Sequence, residues 1–465
     1  MKTLIDKQFD AVRFMRQQRG KSSMKNVILL FICLFLYTGA SVAQSIEEPV
    51  FTPEQLKEDT DYFFKSLFEK QPNPYEYSSL RDFENKKDSI YNLLNKPMTA
   101  DEFMWIIGSI NSYLSYHSSV NLKFNRYVIK CYENAKEQNL KLFPRVSIRE
   151  GKIFTEINNQ ERELTSINGV SADSILQFMQ SYYNNQLSIR RNNYDIESFF
   201  AIWIDLYFNI KPPFRISYKE NQKETEIEGI SADEFMDFSS FGIVRQPLVK
   251  YAIYPSSSIA IFTSHAFNRR RHTPEEVEAQ LAAFRDSVNK YDIKYLFLDL
   301  SKNTGGTSQL SYPLLDIVSH DTIFEKYSVI EKEEFGNKKR DYNIVARLPN
   351  LDLYKEKNKQ LFVLQGTNTI SAANYLCRLF KRYQLGILVG QPSGEPTIEF
   401  TGSYSFVMPN TKLSFIVAGS LMDFSERFPK EEKDFPPDMY WNVDYTIDFE
   451  EKELIEIVKQ WKELL

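Results

Sequence analysis

Apolar positions follow a helical period early in the chain, a mixed pattern in the middle, and an alternation of strands and helices after about residue 250. Thr52-Pro53-Glu54-Gln55 is a capping box with proline at the first helical position, and it opens a helix carrying Leu56, Phe63, Phe64, Leu67 and Phe68. A second helix is predicted from about Asp82 to Leu94. Thr99-Ala100-Asp101-Glu102 is another capping box, and the period it opens runs through Phe103, Ile106, Ile107, Ile110, Tyr113 and Leu114. That helix runs directly into Tyr116-His117-Ser118-Ser119.

From about residue 140 to 235 the pattern becomes β-rich. RVSIRE, KIFTEI and RELTSI read as short strands, Asn168-Gly169 as a tight turn, Ala172 to Tyr182 as a helix, and PFRISYKE with ETEIEGI as a strand pair. SIAIFT and YLFLDL then predict buried strands on either side of a helix capped by Thr273-Pro274-Glu275-Glu276. The same strand–helix–strand order recurs around Ser371. LFVLQ precedes it, and apolar positions at Ala372, Ala373, Tyr375, Leu376, Leu379 and Phe380 follow at helical spacing. Gly386 is placed to stop the helix, and ILVG is the next strand. A right-handed crossover makes that strand pair parallel, and the alternation predicts an α/β core.

Composition narrows the function classes. The 465 residues suffice for two or three domains, and 57 basic against 62 acidic residues lack the basic excess of a nucleic-acid binder. The 27 tyrosines and 36 phenylalanines beside only 16 glycines mark an ordered globular protein. MKNVILLFICLFLYTGASVAQ reads as a secretory signal cut after Ala43, with Met24 as an alternative start. The alternative is an uncleaved anchor, which would be the one tie to a membrane. Leu30-Phe31-Ile32 before Cys33 is not a lipoprotein cleavage box. The expected location is secreted, periplasmic or cell-envelope. Of the remaining cysteines, Cys131 and Cys377, the second falls on the buried face of the helix after Ser371. Two cysteines form no disulfide framework.

Ser371 lies where a helix begins, so free backbone N–H groups and the helix dipole favour negative charge beside it. Two readings follow: an ordinary serine cap, or an acyl-transfer nucleophile. The histidines are His117, His265, His272 and His320, with no metal-binding spacing, no cysteine cluster and no phosphate-binding glycine pattern. Neither cofactor nor metal is expected. Acyl transfer needs a base from that short set, an orienting acid and an oxyanion hole. The Gly305-Gly306 turn after YLFLDL offers backbone N–H groups that would pair with that of Ala372. Its plain alternative is a glycine turn.

The order of His117, the β-module, DLSKNTGG, TISAANYL, VGQPSG and EEKDFPPDM resembles the serine peptidase family of C-terminal-processing (tail-specific) proteases, the tricorn core protease and interphotoreceptor retinoid-binding protein. Thr369-Ile370-Ser371-Ala372-Ala373 carries the closest likeness, to the family's nucleophile motif. Asp299-Leu300, Asn303 and Gly305-Gly306 resemble its glycine-rich segment, with Ser301 in place of arginine. Val389-Gly390 with Ser393-Gly394 resembles the following strand and loop, and Pro437-Asp438 a late motif. LTSINGV lies in a β-module similar to a degenerate PDZ domain. The resemblance implies an α/β (α+β multidomain) fold. Its parts are a signal segment (1–43), an N-terminal helical domain (44–135), the PDZ-like module (136–245) and a ClpP/crotonase-like α/β peptidase core (246–465).

No lysine lies between Lys381 and Lys412, so the serine–lysine dyad of tail-specific members is absent. The resemblance then implies a tricorn-like arrangement. Ser371 is the nucleophile, His117 the general base, Glu431 the orienting acid, Gly306 and Ala372 the oxyanion hole, and Gly305 with Thr307 contact substrate. Tyr116 stands where the family has a serine beside the histidine. His265 is the rival base and Glu432 the rival acid. The expected activity is hydrolysis of peptide or protein substrates through an acyl-enzyme. The alternatives are a catalytically weak relative that binds a peptide or apolar ligand, and a scaffolding envelope protein. The sequence leaves oligomeric state open.

Overall fold

A computed structural model of the chain describes residues 49–122, 126–183, 189–238, 249–317, 323–333, 336–346, 359–395, 398–423, 435–445 and 447–465. The expected signal segment, Glu431 and Glu432 lie outside the described residues. Residues from Val50 onward form one compact unit. Among the described residues no helix is long and apolar enough to cross a membrane.

The three helices expected before His117 are present. Helices α1 (Pro53–Lys70), α2 (Leu80–Leu93) and α3 (Ala100–Gly108) start at Thr52, Ser79 and Thr99, and both predicted capping boxes are formed. Helix α3 is shorter than its apolar period. Ser109 Oγ bonds back to Ile106 O at 2.6 Å, closing the last turn. The Asn111 side chain then donates to Val120 O at 3.0 Å and accepts from Val120 N–H at 2.8 Å. These paired bonds turn the chain into strand β1 (Ser119–Val120), with Ile110 and Leu114 still fully buried.

Helix α4 (Arg126–Glu137) leads to a six-stranded antiparallel sheet in order β2 (Val146–Arg149), β3 (Lys152–Ile157), β4 (Gln160–Ile167), β5 (Phe214–Tyr218) and β6 (Asn221–Ile227), with the short strand Val170–Ser171 also pairing with β4. Between β4 and β5 lie α5 (Ala172–Gln180) and the 20-residue α6 (Ile189–Phe208). One apolar cluster joins α1–α6, this sheet and Met408–Val417. The helical segment and the β-module therefore share a core.

The second core surrounds a six-stranded sheet in order β7 (Val249–Tyr254), β8 (Ile259–Ser264), β9 (Tyr295–Asp299), β12 (Gln360–Gln365), β13 (Ile387–Gly390) and β16 (Met439–Tyr440). Only β7 is antiparallel to its neighbour; the other strands are parallel, as the crossover rule requires. Helices α7 (Pro274–Lys290) and α8 (Ala372–Arg382) belong to one apolar cluster, while α9 (Glu451–Leu464) belongs to another that includes residues of the same strands. Buried on both sides, β8, β9 and β12 read as unbroken apolar runs. A further sheet, β11 (Gly336–Ala346), β10 (Ile323–Glu333), β15 (Ser414–Asp423) and β14 (Ile398–Val407), adds β1 along β15.

Gly386 does not end α8. The helix stops at Arg382, and Gln384 takes the left-handed position at φ 51°. Gly386 instead packs against Leu361, where an added Cβ would lie 2.9 Å from its Cδ2.

Candidate active site

Two loops from the parallel sheet meet at the start of α8. The loop after β12 ends at Ser371, and the loop after β9 carries Gly305 and Gly306. Thr369 fastens the first, its Oγ1 donating to Leu300 O at 2.8 Å and accepting from Gly366 N–H at 2.9 Å. Tyr445 holds the same loop by accepting from Thr367 N–H at 2.6 Å. The loops join where Ile370 N–H donates to Asn303 O at 3.3 Å.

Ser371 occupies the cap position of α8, yet its side chain makes no capping bond. Its backbone sits at φ 53°, ψ −131°, a conformation disfavoured for any residue with a side chain. A serine that served only as a cap would stay in the extended region with its hydroxyl on the N2 or N3 amide. The bland reading therefore fails on geometry. The strained turn instead leaves a half-buried hydroxyl available at the positive end of a helix.

The glycines serve close approach. A Cβ on Gly305 would lie 2.7 Å from both Ile370 O and Ser371 Cβ, and one on Gly306 would lie 2.2 Å from Phe267 O. Both have positive φ, 82° and 128°. The Gly305 amide is already used, donating to Asn303 Oδ1 at 2.8 Å, and the Thr307 amide donates to Phe267 O at 2.8 Å. Among the described residues, no hydrogen bond takes up the amides of Gly306 or Ala372. Gly306 is exposed and Ala372 half-buried.

His117 reaches this place from the other end of the sequence. Segment 117–120 is laid along β15: Ala418 N–H donates to Ser118 Oγ at 2.8 Å, and Ser119 and Val120 pair with Ile416 and Phe415. Ser403 on β14 sets the ring. Its Oγ donates to His117 O at 3.2 Å and lies 3.3 Å from His117 Nδ1. With that hydroxyl proton committed, Nδ1 carries the ring hydrogen and Nε2 keeps its lone pair. The side chain is 17% exposed, and burial pushes its pKa down to about 4.

Glu395 joins the two halves. Its fully buried carboxyl accepts the Ser371 backbone N–H through Oε2, and its Oε1 lies 3.9 Å from His117 Nε2. Arg378 on α8 holds the segment by donating to Glu395 O at 3.1 Å. Sequence reasoning missed Glu395. The signal was an acidic residue 24 positions after the serine, in the interval searched only for lysine.

The remaining expectations resolve separately. Lys381 points away from the serine, paired with Asp438 at 3.2 Å. His265 is tied at 3.1 Å to Asp448, which Lys302 also reaches at 3.1 Å and which Lys250 contacts too. Burial raises the Asp448 carboxyl, but hydrogen bonds from His265 and Lys250 and the charge of Lys302 outweigh it and hold it well below the usual carboxylate range. His265, Asp299 and Asp448 offer ligand atoms within 4.8 Å of one another. The two ammonium groups already balance the two carboxylates there, so this group is read as a structural ion cluster.

Residues 258–406 match the sequence profile of Peptidase family S41. That segment carries an S41 peptidase domain. The solved structure of mature CPAF matches this chain at 11% identity, covering 83% of this chain and 93% of its own, with a TM-score of 0.51. Mature CPAF complexed with lactacystin matches at 12% identity, 88% and 98% coverage and a TM-score of 0.52. A photosystem II D1 C-terminal processing protease matches at 11% identity, 84% and 94% coverage and a TM-score of 0.40. No curated protein matches the sequence. At these identities the two CPAF structures show a shared fold. The S41 match over residues 258–406 supports a serine-type peptidase.

Proposed function

We propose that this chain hydrolyses peptide bonds through an acyl-enzyme on Ser371, with His117 as its base. The observation that carries the reading is a strained Ser371 whose hydroxyl makes no capping bond and whose backbone shares one buried carboxyl with His117. Ser371 Oγ attacks the substrate carbonyl carbon while His117 Nε2 takes the hydroxyl proton. The oxyanion lies between the N–H groups of Gly306 and Ala372, at the positive end of α8. His117 returns the proton to the leaving amine as the C–N bond breaks. Water, deprotonated in turn by His117, then releases the acyl group.

Glu395 Oε1 is the acceptor facing the imidazolium that forms, and Ser403 fixes the opposite ring nitrogen. Glu431 remains the acid implied by the family resemblance. Gly305 supports the serine by packing, and Thr307 borders the same loop. The β-module of residues 146–227 is PDZ-like in this reading. The chain acts after export, in a periplasmic, envelope or extracellular compartment, as the apolar stretch near its start supports.

The test is labelling with a serine-reactive fluorophosphonate and mass mapping of the adduct. An adduct on Ser371 that slows at least ~100-fold in His117→Ala supports both assignments. Unchanged labelling in His117→Ala removes His117 as the base. No adduct on folded protein removes Ser371 as an activated nucleophile.

A further inference from the structure

A cavity of about 160 Å³ opens beside the His117 segment, and the proposed function does not use it. Its walls are rings and branched side chains: Tyr116, Tyr182, Tyr183, Trp203, Leu122 and Ile416. The polar lining residues are Asn111, Ser119, Asn121 and Asp195, of which two are tied up. Asn111 is spent on the backbone of Val120, and Asp195 pairs with Arg191 at 2.6 Å, both side chains only 3% exposed. Among the described residues no acceptor takes the indole N–H of Trp203, which is 1% exposed.

The cavity is linked to the site through sequence neighbours of its lining residues. Tyr116 precedes His117, their rings 5.4 Å apart, and the Glu395 charge acts on the Tyr116 hydroxyl. Next to Asp195, Tyr194 packs 5.0 Å from Tyr445, whose hydroxyl holds the Thr367 amide in the loop leading to Ser371. A chamber of this size accommodates one benzene-sized ring and excludes a second. Its charges are paired internally, so a charged side chain would enter without a partner.

We infer that this cavity is the side-chain pocket that selects an aromatic residue, phenylalanine or tyrosine, of the peptide substrate; the inference rests on the peptidase reading above. Stacked and edge-on rings on the wall fit an aromatic occupant, and the Trp203 N–H suits the oxygen of a tyrosine hydroxyl. The replacement of the family's serine by Tyr116 then has a role in building the pocket wall.

The test separates binding from turnover. On the Ser371→Ala protein, N-acetyl-phenylalaninamide should bind on the order of 30-fold more tightly than N-acetyl-alaninamide by calorimetry. Adding Ile416→Trp or Ser119→Phe, each placing a ring in the cavity, should collapse that ratio to about 2-fold or less while thermal unfolding shows a folded chain. Using two filling variants covers a failure of either to fold. Equal binding of the two amides, or a preference untouched by both fillings, overturns the pocket. With Ser371 intact, kcat/KM for peptides differing only by Phe or Ala should follow the same ratio. A calorimetric preference without fluorophosphonate labelling or turnover keeps the pocket and discards the peptidase reading.

Discussion

At the scale of single residues, the depressed pKa of His117 has a direct kinetic consequence. The ring must be neutral to act as a base. Burial lowers its pKa to about 4, from about 6.5 in an unfolded chain. The acid limb of kcat/KM for the free enzyme should therefore fall near pH 4, and a pH–rate profile on a small peptide checks it. A limb near pH 6.5 would show a solvated ring. The same shift sets a stability term. Because the folded pKa is the lower one, the contribution is complete above the unfolded value and is lost as pH falls from about 6.5 toward 4. The setting of Ser371 between strand and helix was legible at this scale from the apolar pattern around it. The absence of a capping bond from its hydroxyl was not, since φ leaves no trace in sequence. Glu395 was missed because a buried acid between prolines and glycines looks like any loop carboxylate.

Among the elements, the hairpin β14–β15 carries the largest structural duty. Ser403 on β14 orients His117, and β15 receives β1. Its turn is bound to α1 through Asp59, fully buried, which accepts the amides of Asn410 and Thr411 at 2.8 Å each and the Thr411 hydroxyl at 2.6 Å. Asp59→Ala leaves two buried amides unanswered. It should cost about 2–4 kcal/mol, read from urea unfolding. It should also slow fluorophosphonate labelling of Ser371, because the strand that seats the base loses its anchor. A stability loss with unchanged labelling would separate the turn from the site. Helices with capping boxes were read with their starts correct, since cap and period agree. Helix α6 was not, because its apolar positions surround buried Arg191 and Asp195 and break a simple stripe.

For the whole molecule, distant segments are fastened by contacts that no periodicity announces. The alternation after residue 250 forecast the parallel sheet because fully buried strands leave long apolar runs. The pairing of β1 with β15 was not forecast, nor the ion cluster where Asp448, before α9, meets Lys250, Lys302 and His265. Asp448→Asn should destabilise the fold by about 2 kcal/mol at neutral pH, since it leaves the buried Lys302 ammonium with the Ile447 carbonyl but without the facing carboxylate charge. The sign follows from a folded pKa held below the unfolded one. The stabilisation is full above about pH 3.9 and declines as pH falls through the folded titration. The gap between parent and variant urea midpoints should therefore narrow below about pH 3.9. A gap of constant size down to pH 2 would mean the carboxylate charge plays no part.

The tether between His117 and Ser403 spans 286 positions of chain. During synthesis the base emerges early, the serine late, and the hairpin that seats the base later still. A growing polypeptide on the ribosome thus holds all the chemistry of its histidine with nothing to aim it. In the proposed reading, cutting chemistry awaits translation of the β14–β15 hairpin.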